Sequence, residues 1–107
     1  MKLQEFEEGV RSYCENRVIP ELKTTFDKWM LRAALAVAKE RPAIIRQRIV
    51  PILAGVGLLG DDEDVDLDLL EKVGKEAFEK QPRLDIWKIT FKREDFSDFI
   101  RFLHGER

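Results

Sequence analysis

The chain has 107 residues, of which 44% are hydrophobic and 37% charged, and its formal net charge is −2. These values predict a single domain over residues 1–107 that buries a hydrophobic core, and they exclude a disordered chain. Cys14 is the only cysteine, the N-terminus is rich in glutamate, and the longest uncharged stretch is residues 49–60. We therefore expect no internal disulfide, no signal peptide and no membrane-spanning helix, and we expect a cytoplasmic protein.

Hydrophobic spacing predicts two amphipathic helices in residues 1–40. Apolar side chains recur at steps of three and four from Leu3 to Cys14, which predicts a helix over residues 3–18. Pro20 then marks a kink or the first turn of a new helix, because proline has no N–H to donate within a helix. The same period then continues to about residue 39, where the apolar stripe comprises Leu22, Phe26, Trp29, Met30, Ala33 and Val37.

Prolines, glycines and acidic residues mark the ends of three further helices. A third helix begins at Pro42, since proline is favoured in a first helical turn, and Pro51 is expected to bend or divide it. A fourth helix begins with Asp66 as its N-cap and ends before Pro82. The last helix covers residues 93–103, with acidic residues near its positive N-terminal end.

Residues 84–91, LDIWKITF, alternate between apolar and polar side chains, which is typical of a β-strand. A single strand is not stable in water, because its backbone N–H and C=O groups need partners. Two pairings are open: with a short extended segment at residues 56–59 or 65–67, or with the same strand of a second copy. We therefore predict a mainly α fold of about five helices, with one short β-strand or ribbon in the C-terminal third.

Two segments come close to ligand-binding motifs. GVGLLG, residues 55–60, matches the G-x-G-x-x-G of dinucleotide-binding proteins, but Pro51 falls where a central strand is required and acidic residues follow where phosphates would lie. The acidic turn, residues 61–71, lacks the first carboxylate and the invariant glycine of a calcium loop. No cofactor and no specific metal site are predicted, although weak binding of divalent ions by the acidic turn stays open.

The chain offers little to a catalytic mechanism. Its one histidine, His104, and its one cysteine, Cys14, lie near opposite ends of the sequence, and no pattern joins them as base and nucleophile. Ser12 and Ser97 lie in helical segments without the turn that exposes a catalytic serine. We therefore predict a protein that is not an enzyme and has no evident small-molecule substrate.

A surplus of apolar residues, together with the unpartnered strand, predicts a protein-interaction or assembly module that self-associates. The C-terminal third is rich in aromatic residues, and Phe102 falls outside the apolar stripe of the last helix. The expected partner is a second copy in a homodimer, or another protein. The residues predicted to make the contact are Trp87, Ile89, Phe91 and Phe102.

The alternative is a small nucleic-acid-binding regulator. Arg41, Arg46 and Arg48, in the basic stretch of residues 41–48, lie on or beside the third helix, where they could contact phosphates. The negative net charge argues against this function, as does the lack of a helix-turn-helix or base-stacking pattern. Phosphate binding would require the basic stretch to be free of the acidic turn, whereas assembly would not.

The segments IVPILAGVGLLGDDEDVDLDLLEK and LDIWKITFKREDFSDFIRFL share features with a known group of proteins. In residues 61–70 an acidic turn leads into a V-D-x-D-x-L helix start, and in residues 86–103 a short strand precedes a closing helix headed by an acid. In these features the chain resembles small proteins without an assigned activity that are encoded in bacterial phage and prophage regions. The resemblance implies a phage-associated structural or accessory role and identifies no site residue.

Overall fold

The computed structural model describes residues 1–60, 62–86 and 89–105. Within these ranges the chain forms five α-helices and one antiparallel two-stranded ribbon, so the predicted mainly α fold with a C-terminal ribbon is confirmed. None of the described helices combines the length and the apolar character needed to cross a bilayer. In chain order the elements are α1 (Leu3–Tyr13), α2 (Thr25–Glu40), α3 (Pro42–Gly55), α4 (Leu67–Lys80), β1 (Arg83–Ile86), β2 (Ile89–Lys92) and α5 (Arg93–Leu103).

The helix predicted over residues 3–18 changes its winding before its end. α1 stops at Tyr13, and the chain continues as a π-helical turn, Cys14–Val18, and a 3₁₀ turn, Ile19–Glu21. Pro20 lies in the 3₁₀ turn and has no N–H, so regular α-helical hydrogen bonding cannot continue through it. The altered winding ends the first helix and redirects the chain into α2.

Local side-chain signals place the other helix ends. The Thr24 hydroxyl caps α2 by accepting a 3.0 Å hydrogen bond from the N–H three residues ahead. The predicted cap of α4 is confirmed, because the Asp66 carboxylate accepts an equivalent bond of 3.0 Å. Pro42 begins α3 as predicted, whereas Pro51 lies within α3 without dividing it.

The segment predicted as a single strand, residues 84–91, folds back on itself. β1 and β2 pair antiparallel, with Leu84 opposite Phe91. Each strand hydrogen-bonds the other along one edge, so the predictions of a single strand and of partners at residues 56–59 or 65–67 are wrong. The two short segments considered as its partners are instead joined to each other by an isolated bridge between Leu59 and Val65.

The hydrophobic core surrounds α5, which packs against α1, α4 and β2. Glycines allow α1 and α4 to approach α5 closely. A methyl group added at Gly74 would overlap the ring of Phe96, and one added at Gly9 would overlap Leu103. Among the described residues, the buried hydrophobic side chains are Leu3, Tyr13, Ile19, Leu22, Leu58, Val65, Phe96, Ile100, Phe102 and Leu103.

The described part of the acidic turn is attached to the start of the chain. The Met1 amino group donates a 3.2 Å hydrogen bond to the C=O of Val65 and lies 3.1 Å from Oδ1 of Asp64. Lys2 Nζ lies 3.7 Å from Oδ2 of Asp62. These contacts place the acidic turn beside the beginning of α1.

α2 and α3 form a helical hairpin at the margin of the core, and neither helix contains a buried residue. α2 packs against α3 and against the 3₁₀ turn that precedes it. The radius of gyration is 14.1 Å. A compact domain of this length is expected to have about 13 Å, which agrees with a hairpin that projects from the core.

Candidate protein-interaction surface

The α2–α3 hairpin carries most of the exposed large hydrophobic residues that the structure describes. These residues are between 38% and 66% exposed, although side chains of this kind are usually covered. The remaining two, Val73 and Leu84, lie on α4 and β1. We define the hairpin face as the exposed residues on α2, on α3 and directly after α3: Phe26, Trp29, Met30, Val37, Ile44, Ile49, Ile52 and Val56.

On α2 the exposed apolar residues form one stripe. Successive members are spaced by three, one and seven residues, which places all four on the same side of a helix with 3.6 residues per turn. The rings of Phe26 and Trp29 have centroids 6.2 Å apart and form a continuous aromatic patch. Leu35 and Ala38 lie on the other side and face α1. α2 is therefore apolar on two sides, and the chain covers only one of them.

α3 is apolar almost all round. Its sequence is PAIIRQRIVPILAG, in which only residues 46–48 are polar or charged. A helix that is hydrophobic on every side is typical of the interior of an assembly. Here Ile44 and Ile52 are exposed, with the exposed Arg48 between them on the same side, while Ile45 lines the gap toward α1.

A cavity of about 130 Å³ lies between the hairpin and α1. One charged contact crosses the boundary beside it, since Arg46 Nε donates a 2.7 Å hydrogen bond to Glu7 Oε1. Groups that line a gap lose their van der Waals partners, so this boundary is less well packed than the contact between α4 and α5. The apolar lining includes Leu3, Phe6, Val10, Leu35, Ala38, Ile45, Ile49 and Val50.

The four residues predicted to make the contact lie in different settings. Trp87 falls outside the described residues. Ile89 and Phe91 on β2 are half-buried, and the ring of Phe91 packs 6.1 Å from the ring of Phe78 on α4. Phe102 is only 3% exposed, so the expectation that it lies outside the buried stripe is wrong. The reason is that α1 covers this side of α5, so two sides of α5 are buried.

The three arginines of the nucleic-acid alternative are not equivalent. Arg46 is half-buried and bound to Glu7, whereas Arg41 and Arg48 are exposed. The described ion pairs of the acidic turn run to the start of the chain and, from Glu71, to Lys75, so none of them reaches the basic stretch. Two other basic residues, Arg32 and Lys39 of α2, share a depression with Glu8 of α1 and Glu15 of the π-helical turn. The positive charge is thus interspersed with negative charge, which weakens its attraction for phosphate.

Two polar side chains beside the core, Tyr13 and Cys14, are held in their protonated forms. The Tyr13 hydroxyl lies 3.2 Å from the C=O of Asp95 and 3.3 Å from Oδ2 of Asp98. Burial raises the pKa of Tyr13 well above its ordinary value, and the Asp98 carboxylate raises it further. Burial also raises the pKa of the Cys14 thiol, with a smaller contribution from Glu15. Cys14 is therefore protonated at neutral pH. Because the thiolate and not the thiol is the reactive form, Cys14 is a poor nucleophile.

The hairpin face was not among the predicted contact residues, although the sequence carries a signal for it. Helical spacing shows that α2 has an apolar stripe, but it does not show what covers the stripe. The stronger signal is α3, because a helix with apolar residues on every side exceeds what one neighbouring helix can cover. An apolar stripe beside such a helix favours a contact surface.

Comparison of the chain with protein families, with characterised proteins and with solved structures finds no match. The resemblance to phage-encoded proteins stays a prediction. A function for the hairpin face is therefore inferred from its exposed apolar residues and the charges around them.

Proposed function

We propose that this protein is a non-enzymatic assembly module of the cytoplasm that self-associates through the hairpin face. The observation that carries the proposal is the concentration of exposed hydrophobic residues on two helices without a buried residue. Removing apolar surface from water is favourable by about 25 cal/mol per Å², and large exposed patches usually mark contact surfaces. The free thiol of Cys14 supports the assignment to a reducing compartment.

A second copy of the chain is the partner that this surface fits best. α3 has no acidic residue and carries apolar residues on every side, so packing against other apolar helices is favourable for it. Two α2–α3 hairpins related by a two-fold axis would form a four-helix arrangement, in which each hairpin covers the exposed stripe of the other. Ala33 lies within the α2 stripe, and its small side chain allows two helices to approach closely.

The size of the surface also supports a dimer. The eight residues of the hairpin face together expose on the order of 800 Å², about the area that each partner buries in a standard interface. Of the charged residues at the ends of α2, Lys28 and Lys39 lie on the side opposite the apolar stripe, and Lys39 lines a depression with residues of α1. A partner on the hairpin face would therefore contact the apolar stripe without burying these two charges.

The structure changes the residues on which the proposal of self-association depends. β1 and β2 pair with each other along one edge, so neither strand depends on a second chain for its pairing. Phe102 is buried within the chain, and Phe91 is partly covered by Phe78. The proposed contact surface is therefore the hairpin face and not the ribbon with Phe102.

Measuring the solution mass by light scattering over a wide range of concentrations tests this proposal. We expect the wild-type chain to be a dimer that dissociates on dilution. Trp29→Glu and Ile52→Glu each place a charge within the hairpin face, where burial of an unpaired charge is strongly unfavourable. Both variants should be monomers at every concentration. Their helix content, measured by circular dichroism, should be unchanged, because both residues are exposed in the monomer.

Leu84→Glu is the matched control, because Leu84 is also an exposed apolar residue but lies on the ribbon. This variant should dimerise as the wild type does. A wild-type chain that is monomeric at all concentrations would contradict the proposal. A dimer that Leu84→Glu disrupts and Ile52→Glu preserves would instead place the interface on the ribbon.

A further inference from the structure

A second feature, independent of the hairpin face, lies where α5 ends beside the first turns of α4. Asp68 and Glu71 are three residues apart on α4 and therefore project from the same side of the helix. His104 follows the last residue of α5. One possible ligand atom from each of the three side chains lies within 4.8 Å of the other two.

We propose that Asp68, Glu71 and His104 bind one divalent transition-metal cation of the zinc type. An imidazole nitrogen combined with two carboxylate oxygens suits Zn²⁺ and its neighbours, whereas Ca²⁺ and Mg²⁺ prefer oxygen ligands alone. Ligand atoms bound at about 2.0–2.2 Å from an ion lie about 3–4 Å from one another. Rotation of these side chains, two of which are exposed, closes the remaining distance. Three protein ligands leave further coordination positions for water.

The ligand atoms are available to an ion. The side chains of Asp68 and His104 make no hydrogen bond or ion pair to any residue in the described ranges. Glu71 lies 2.9 Å from Lys75 Nζ, in a partly exposed pair within the helix. Such pairs contribute little to stability, so a metal ion can displace the lysine at small cost.

The electrostatic surroundings favour a cation. Asp62 and Asp64 line the same depression as Asp68 and His104. Met1 also lines this depression, where its amino group is paired with Asp64, and Lys2 is paired with Asp62, so the carboxylates around the site still outnumber the cations. His104 is at the negative C-terminal end of α5, which favours positive charge. The positive N-terminal end of α4 acts in the opposite sense, but a half-charge of this kind is smaller than the charge of two carboxylates.

A bound ion would connect the beginning of α4 to the end of α5. Asp68 and His104 are far apart in the sequence, so the three ligands come together only when the chain is folded. An ion that binds the folded chain alone must stabilise it. The site is thus expected to be a structural connection on the core side of the molecule, distinct from the contact surface on the hairpin.

Titration calorimetry of the full chain with ZnCl₂, after treatment with a chelator, tests this inference. We expect saturable binding of one ion per chain. His104→Ala and Glu71→Gln should each weaken the affinity at least about tenfold, since loss of a ligand costs at least as much as loss of a second-sphere contact. Glu76→Gln is the matched control, because it removes an exposed carboxylate of α4 outside the three ligands and should leave the affinity unchanged.

Thermal unfolding gives a second readout that does not depend on calorimetric heat. Zn²⁺ should raise the Tm of the wild type and of Glu76→Gln, and at the same Zn²⁺ concentration it should raise the Tm of His104→Ala by less. Equal Zn²⁺ affinity of the wild type and His104→Ala would overturn the inference, because the binding would then come from carboxylates alone. Binding that does not saturate, a stoichiometry of one ion per two chains, or equal affinity for Mg²⁺ would also overturn it.

Discussion

The chain contains two helical regions, α5 with the helices around it and the α2–α3 hairpin, that differ in how they are stabilised. α5 is wrapped by α1 and α4, and four of its residues are buried: Phe96, Ile100, Phe102 and Leu103. The α2–α3 hairpin contains no buried residue, although α3 is more apolar than α5. The difference therefore does not follow from apolar content. It follows from whether another part of the same chain covers the apolar side chains.

This contrast indicates where each region obtains its stability. The free energy of burying apolar surface is available to α5 within the monomer, and most helical stability in proteins has this origin. The hairpin has its caps, its internal contact and one charged contact to α1, and its remaining apolar surface is available to a partner. Substitutions in the two regions should therefore differ in their effect on the monomer.

The largest difference is expected for a matched pair of phenylalanines. Phe96 is 7% exposed and Phe26 is 65% exposed. Phe96→Ala removes a buried ring and should lower the free energy of unfolding by about 3–5 kcal/mol. Phe26→Ala should change it by less than about 0.5 kcal/mol in dilute solution, where the chain is monomeric. Urea denaturation at low protein concentration measures both values, and equal losses would show that the hairpin shares the stability of the core.

A smaller difference is expected for two helical glycines. A methyl group at Gly74 overlaps the ring of Phe96, whereas one at Gly55 meets nothing within 4 Å. Gly74→Ala should destabilise the chain by about 1–3 kcal/mol through overpacking between α4 and α5. Gly55→Ala should stabilise it by up to about 1 kcal/mol, because alanine is the better helix former. The same urea experiment applies, and a neutral Gly74→Ala would mean that α4 does not pack closely on α5.

The smallest effect at neutral pH is expected at Tyr13. Its hydrogen-bond distances are long, so Tyr13→Phe should cost about 1 kcal/mol or less at pH 7. The pKa of Tyr13 is raised in the folded state above its ordinary value of 10.0, so the folded chain holds this proton more tightly than the unfolded chain. Its contribution to stability is complete below pH 10 and is lost as the pH rises further.

The pH dependence provides the control for that substitution. Above pH 10 the wild type should lose stability faster than Tyr13→Phe, which has no phenol to ionise, and the two curves of unfolding free energy against pH should converge. Other groups that titrate in this range affect both chains alike. Parallel curves would show that the Tyr13 hydroxyl is not buried beside Asp98 as the structure describes.

Signals within one helical turn predict the helices and most of their ends. Pro42 begins α3, Asp66 caps α4, and α5 spans the predicted residues 93–103. Each of these signals acts on backbone groups within a few residues, so distant parts of the chain hardly affect it. The winding after Tyr13 is not predictable in the same way, because it depends on how the chain accommodates Pro20 and packs Ile19.

The position of the ribbon is predictable, and its pairing is not. Alternation of apolar and polar residues looks the same in one strand of eight residues and in two shorter strands that face each other. Residues 84–91 contain no glycine or asparagine to mark a change of direction. The hydrogen bonds between β1 and β2, rather than any local pattern, identify the two strands.

The sequence by itself determined the helical content, the order of the elements and most of their ends. Only the tertiary structure decided that Phe102 is buried, that the apolar stripe of α2 is exposed, and that His104 lies beside two carboxylates of α4. The physical reason is that hydrogen bonding and capping act between neighbours in the chain. Burial and proximity are properties of two surfaces, and the two surfaces come from segments that are far apart in the sequence.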